Sequence, residues 1–286
     1  MQIKSKIAYF IKSNYYNLRD LFFPESLKLD FFSKKNNFGD ILNKYLVEQL
    51  SGQTVHQIRS WHYNKPHFFV IGSILQDVNK YSIVWGSGFI SKDSKCKEPP
   101  QIVRAVRGPL SRKMLLNQGI DCPEIYGDPA LLMPKIYKPI NIDKKYELGI
   151  IAHYVDKDSL WIKNNNSKNI KFIDIQTSNF TSFIDQITEC KKIISSSLHG
   201  IIIADAYGVP SLWVEFSKKV YGDGFKFKDY FSSVGRTDTR PFTIKNDTSI
   251  DEILESFKSY NINIDLEKLI NAAPFRIKNK FTNELI

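Results

Sequence analysis

The run Ser195, Ser196, Ser197, Leu198, His199, Gly200 has the composition of an anion-binding turn. It follows the strand-like segment KKII and precedes IIIADAY, so it falls where a strand gives way to a helix. Backbone N–H groups at such a junction have no intrahelical acceptor, and the positive end of the helix dipole favours phosphate or carboxylate there. The three serines add hydroxyl donors. His199 would stand on the first helical turn beside the anion, and histidine is the side chain whose charge changes near neutral pH, which suits it to proton transfer. Serine is also a common helix cap, and a lone histidine is often structural. The functional reading predicts a donor anion surrounded by Ser195, Ser196, Ser197, Leu198 and Gly200, with His199 acting on it.

Arg107, in RAVRGPLSR, occupies the matching strand-to-helix position in the first half of the chain. A guanidinium grips a carboxylate or phosphate through parallel hydrogen bonds, which makes Arg107 a second donor-binding candidate; a surface salt bridge is the alternative. Asp40 and Asp128 are the carboxylates placed to accept a proton from a hydroxyl. Asp40 is equally suited to cap the helix that follows it, and Asp128, before Pro129, to hold a turn. Asn37, Gly39, Ser73, Ser87 and Glu215 are the residues expected on the acceptor side. Lys226 and Lys228, alternating with aromatics in GFKFKDYF, either supplement the anion site or decorate a solvated strand face. His56, His62 and His67 lack the spacing of a metal site, and no metal is expected.

These residues need strands that end in small residues and helices that start just beyond them. His67 to Ile71 reads as a strand ending at Gly72-Ser73, and Ser82 to Trp85 as one ending at Gly86-Ser87-Gly88. Ile102 to Val106 leads through Gly108 into a helix from Pro109 to about Asn117. Helical spacing runs from Ile41 to Leu50, and a short strand is expected at Glu124 to Tyr126. After a polar stretch, Pro134 to Lys145, strands recur at Leu148 to Ala152, Ile170 to Ile175, Lys192 to Ser195 and Ser211 to Glu215, with helices at Thr181 to Cys190, over IIIADAY and at Ile250 to Tyr260. This alternation predicts an α/β protein with two Rossmann-like domains, residues 1–138 and 139–286, and a ligand cleft between them.

The 286 residues carry 40 Lys plus Arg against 30 Asp plus Glu, a formal charge of +10 that favours anionic ligands. The basic residues are dispersed and form no nucleic-acid recognition module, so nucleic acid is not an expected partner. Cys96, Cys122 and Cys190 are isolated from one another, which argues against a disulfide framework. No apolar run reaches the ~18 residues that span a bilayer, and a cytoplasmic protein is expected. Ile3, Ile7, Phe10 and Ile11, interspersed with Lys4, Lys6 and Lys12, have the spacing of an amphipathic helix that either lies on the inner membrane surface or packs on the domain. Leu21, Phe22 and Phe23 fit either case.

NFGDILN, IGSIL, VWGSGF, VRGPLSR, YGDPALL and SSSLHGIIIADAYGVPSL occur here in the order seen in polysaccharide pyruvyltransferases, and over residues 36–235 the chain resembles that family. The resemblance implies a GT-B-like fold and an enzyme that needs no cofactor, with phosphoenolpyruvate as donor substrate. Its enolpyruvyl carbons would pass to two hydroxyls of one sugar of a bacterial surface polysaccharide, or of its lipid-linked precursor, forming a cyclic ketal and releasing phosphate. The resemblance maps the family's histidine onto His199 and its donor-binding arginine onto Arg107. Several members carry arginine two residues before the histidine, where this chain has Ser197. That departure keeps a nucleotide-sugar glycosyltransferase and a non-catalytic carbohydrate-binding relative open as alternatives.

Overall fold

The computed structural model describes residues 12, 14–16, 18–33, 35–140, 143–165 and 167–282. Its short, apolar, glycine-bounded segments assemble into two five-stranded sheets. In the first, β1 (Leu27–Asp30), β2 (Val55–Ile58), β3 (His67–Phe69), β4 (Ser82–Trp85) and β5 (Ile102–Ala105) lie in the order β2-β1-β3-β4-β5. In the second, β6 (Tyr146–Ile151), β7 (Ile170–Phe172), β8 (Cys190–Ser195), β9 (Ser211–Glu215) and β10 (Phe242–Thr243) lie in the order β10-β9-β8-β6-β7. All the strand pairs run parallel. Both sheets are therefore wound alike, with the first strand between the second and third, and the winding reverses between β1 and β3 and between β6 and β8. Open parallel sheets bind ligands beyond the carboxyl ends of the strands at such reversals.

Parallel neighbours require return crossovers, which are mostly helical. The helices are α1 (Phe38–Ser51), α2 (Pro109–Leu116), α3 (Met133–Ile136), α4 (Leu160–Asn164), α5 (Phe180–Thr188), α6 (Leu198–Ala206), α7 (Phe225–Ser233), α8 (Ile250–Glu255), α9 (Leu266–Asn271) and α10 (Asn279–Thr282). The expected α/β class and most of the expected elements are present. The segment around Lys226 is a helix, not a strand, because Phe227, Tyr230 and Phe231 are buried at helical spacing. Glu124 to Tyr126 supplies only a single bridge, from Tyr126 to Val106. The helix expected to reach Tyr260 stops at Glu255.

The largest buried cluster joins Leu42 and Leu46 of α1 to Ile201 and Ile202 of α6 through Ala130 to Met133. The Phe38 amide donates to the Ile175 carbonyl at 2.8 Å, and the Phe38 ring stacks on Phe183 at 4.1 Å, docking the start of α1 against the second sheet's layer. The last part of the chain returns to the first sheet, a crossing that a division at residue 138 does not anticipate. The Trp85 indole donates to the Leu269 carbonyl at 2.8 Å and meets Phe275 edge-on, and the Lys278 amide donates to the Leu50 carbonyl.

Among the described residues no helix is long and apolar enough to cross a membrane. Leu21, Phe22 and Phe23 are exposed. Ile3, Lys4, Lys6, Ile7, Phe10 and Ile11 lie outside the described residues.

Candidate functional site

Helix α6 is buried on every side, as expected for a helix whose residues are nearly all apolar. Its first intrahelical bond runs from the Ile201 amide to the Ser197 carbonyl, and the Ser197 side chain makes no capping bond. The amides of Leu198, His199 and Gly200 thus have no backbone acceptor among the described residues. The three serines before them do different work. The Ser195 hydroxyl, fully buried, lies 2.9 Å from the Ile151 carbonyl and 2.8 Å from the Ser197 carbonyl and accepts from the Ser197 amide, so it shapes the turn from within. A side chain on Gly200 would collide with that hydroxyl. Ser196 donates to Asp156 and accepts from the His153 amide. Ser197 faces the cavity.

The His199 ring is fixed from two directions. One is Gly39 on the first turn of α1, where a Cβ would fall 1.9 Å from His199 Nδ1; only the bare backbone lets the ring lie there. The other is Asp128. Its Oδ1 accepts from the Ala130 amide, capping the 3-10 turn Pro129–Leu132 that packs against α6. Its Oδ2 then lies 3.6 Å from His199 Nε2, and neither of these buried atoms has a hydrogen-bond partner elsewhere among the described residues. Asp128 is fully buried beside the imidazole and does not line the cavity.

Arg107 lies at the expected strand-to-helix junction, but its guanidinium is turned into the protein and not toward the surface. It has no exposed surface, and both Nε and Nη2 point at Asp229 Oδ2, at 3.1 and 3.0 Å. Asp229, arriving on α7, also accepts from the Ser111 amide and hydroxyl at the start of α2. The anion at this strand-to-helix junction is thus a carboxylate of the protein itself. Gly88 keeps the guanidinium's face clear, because a Cβ there would sit 2.5 Å from Cζ. The remaining Arg107 contacts are to the Phe89 carbonyl at 2.7 Å and to the Ser73 hydroxyl at 2.6 Å. Arg107 does not line the cavity, whereas Ser73, whose hydroxyl it holds, does.

The cavity has a volume of about 280 Å³. Its walls come from the ends of β1 (Phe32), β3 (Ser73, Ile74) and β6 (His153, Tyr154), from the β8–α6 turn (Ser197 to His199), from α1 (Asn37, Asp40), and from Gln76, Asp77, Ile90 and Lys226. These are the points where the winding of each sheet reverses. Asn37 caps α1 by accepting from the Gly39 amide, and Asn43 pairs both ways with the Ile71 backbone, tying α1 to the end of β3. Burial pushes the Asp40 carboxyl up to about 6 against the opposing influence of His199 and Lys226. Burial also pushes His153 down to about 4, and Lys226 adds to that shift.

Two expected acceptor residues stand apart. Ser87 is fully buried and donates to the Val70 carbonyl. Glu215 pairs with Lys218 and lines a neighbouring hollow of about 330 Å³ with Ser196 and Tyr221. His153, Tyr154, Gln76 and Asp77 were not among the residues expected from sequence. His153 is legible in hindsight as a polar residue just past the apolar strand LGII, whereas Gln76 and Asp77 carry no sequence signal.

A model of the family described as polysaccharide pyruvyl transferase matches residues 9–217. The chain is 33% identical over 285 residues to the uncharacterized protein L143 of Acanthamoeba polyphaga mimivirus, covering 91% of this chain and 97% of that protein. It is 25% identical over 244 residues to the succinoglycan biosynthesis protein ExoV of Rhizobium meliloti (strain 1021), covering 82% and 73% of the two chains.

Proposed function

The chain belongs to the polysaccharide pyruvyl transferase family, and from that premise we propose that it transfers the three-carbon unit of phosphoenolpyruvate to a saccharide as a cyclic ketal, in a cleft between its two sheets. The observation that carries this reading is the meeting in one small cavity of the first turn of α6, where Leu198 and His199 have amides with no backbone acceptor among the described residues, an imidazole backed by a buried carboxylate, and the second carboxylate of Asp40. At about 280 Å³ the cavity sits at the lower edge of the ~300–1,000 Å³ usual for small-molecule sites, which suits a three-carbon phosphorylated acid better than a nucleotide sugar.

The chemistry assigns a task to each group. The α6 amides receive one anionic group of the donor. His199, oriented by Asp128, gives a proton to the methylene carbon, and C2 becomes electrophilic as C3 becomes a methyl group. Asp40 takes the proton of the attacking sugar hydroxyl as its oxygen bonds to C2. The second hydroxyl oxygen then displaces phosphate at C2. Two C–O bonds form and one breaks, one hydroxyl proton balances the new methyl group, and the other leaves with phosphate. Glu215 and Tyr221, in the adjoining hollow, are placed to bind the rest of the acceptor.

The test is incubation with phosphoenolpyruvate and candidate saccharides, following phosphate release and the pyruvate-ketal mass increment. His199→Ala is expected to lower turnover by ~10²–10⁴-fold while retaining the native melting transition. Near-normal turnover by that variant would remove His199 from the mechanism.

A further inference from the structure

We infer that Lys226 provides the cation against which the donor's negative charge is seated. The inference rests on the donor assignment above. Ser197 brings no side-chain charge to the start of α6, and Arg107 is committed to Asp229 inside the protein. Among the described residues lining the cavity, Lys226 is the one lysine or arginine.

It stands at the second position of α7, just past Gly224, whose left-handed φ of 70° turns the chain into the helix. The next turns of α7 carry Asp229 to Arg107. The ion pair that occupies Arg107 therefore also anchors the helix that presents Lys226. Its ammonium makes no hydrogen bond or ion pair with any described residue; its recorded neighbour is the Phe227 ring at 5.7 Å. A half-buried cation with no acceptor among the described residues, lining the same cavity as the first turn of α6, is arranged for an anion that arrives from outside.

The charged and titratable groups around it are Asp40 on α1, Arg107 behind Ser73, His153 past β6 and His199 on α6, with Asp77 on the far wall paired to Lys97. Burial, reinforced by Arg107 and opposed by Asp40, holds the Lys226 ammonium down to about 8. Lysine loses its proton as pH rises through that value, so donor binding is strongest below it and weakens above it.

The experiment compares wild type, Lys226→Met and Lys226→Arg by steady-state kinetics with phosphoenolpyruvate from pH 6 to 10, and by calorimetric binding of phosphoenolpyruvate. Wild-type kcat/KM is expected to fall above about pH 8. Lys226→Arg is expected to keep its activity to higher pH, because a guanidinium stays protonated there. Lys226→Met is expected to raise KM and weaken binding by about 10- to 100-fold at pH 7, the loss of one charge-assisted contact, with an unchanged melting temperature. Wild-type affinity and an unmoved alkaline limb in both variants would overturn the role of Lys226 alone. Failure of wild type to bind or turn over phosphoenolpyruvate would instead overturn the donor assignment and, with it, this inference.

Discussion

Burial lifts the Asp40 carboxyl to about 6 from an unfolded-chain value of 3.8, so its ionised form disfavours the fold. The sign follows from linkage: the folded chain binds the extra proton, so stability declines as pH rises from about 4 to 6 and the cost is fully present above 6. Asp40→Asn is therefore expected to stabilise the protein at pH 7 by about 2 kcal/mol, after allowance for its partial exposure, and to flatten that part of the pH–stability curve while activity is lost. Chemical denaturation at pH 4.5 and 7 checks it. Equal destabilisation at both pH values would make Asp40 an ordinary structural residue of the first turn of α1, whose cap is Asn37. His199 differs in kind, because its position comes from neighbours on other elements: Gly39 by having no side chain and Asp128 by capping a turn with one oxygen and meeting the ring with the other.

The elements meet through the Arg107–Asp229 pair, which joins the end of β5 and the start of α2 to α7. Removing one partner leaves a fully buried charge unpaired, which typically costs about 3–5 kcal/mol. Arg107→Met is expected to lose that much stability, and Arg107→Met with Asp229→Leu to lose less than the two single changes added together. Strictly additive losses in urea unfolding would show that the pair is not coupled. The strand-to-helix turn at Ser195 to His199 was legible because the apolar strand, the serines and the next apolar run follow one another in the chain. β4 and β9 were legible for the same local reason. The fate of Arg107 was not, because its partner lies 122 residues away on a segment whose F-K-F-K alternation imitates a strand. β1 and β2 were missed because LKLD and VHQI alternate polar and apolar residues over only four positions.

At the scale of the molecule, two similarly wound sheets turn the ends of their reversing strands toward one cavity, and the chain's closing helices return to brace the first sheet. A net charge of +10 favours the arrival of an anion, and under the proposed function the cavity of about 280 Å³ would take a small one. The direct test is isothermal titration calorimetry of the wild-type protein with phosphoenolpyruvate and, separately, with nucleotide sugars. The account predicts saturable binding of one phosphoenolpyruvate per chain, lost in His199→Ala combined with Lys226→Met, and no comparable binding of a nucleotide sugar. Tight binding of a nucleotide sugar with none of phosphoenolpyruvate would contradict it.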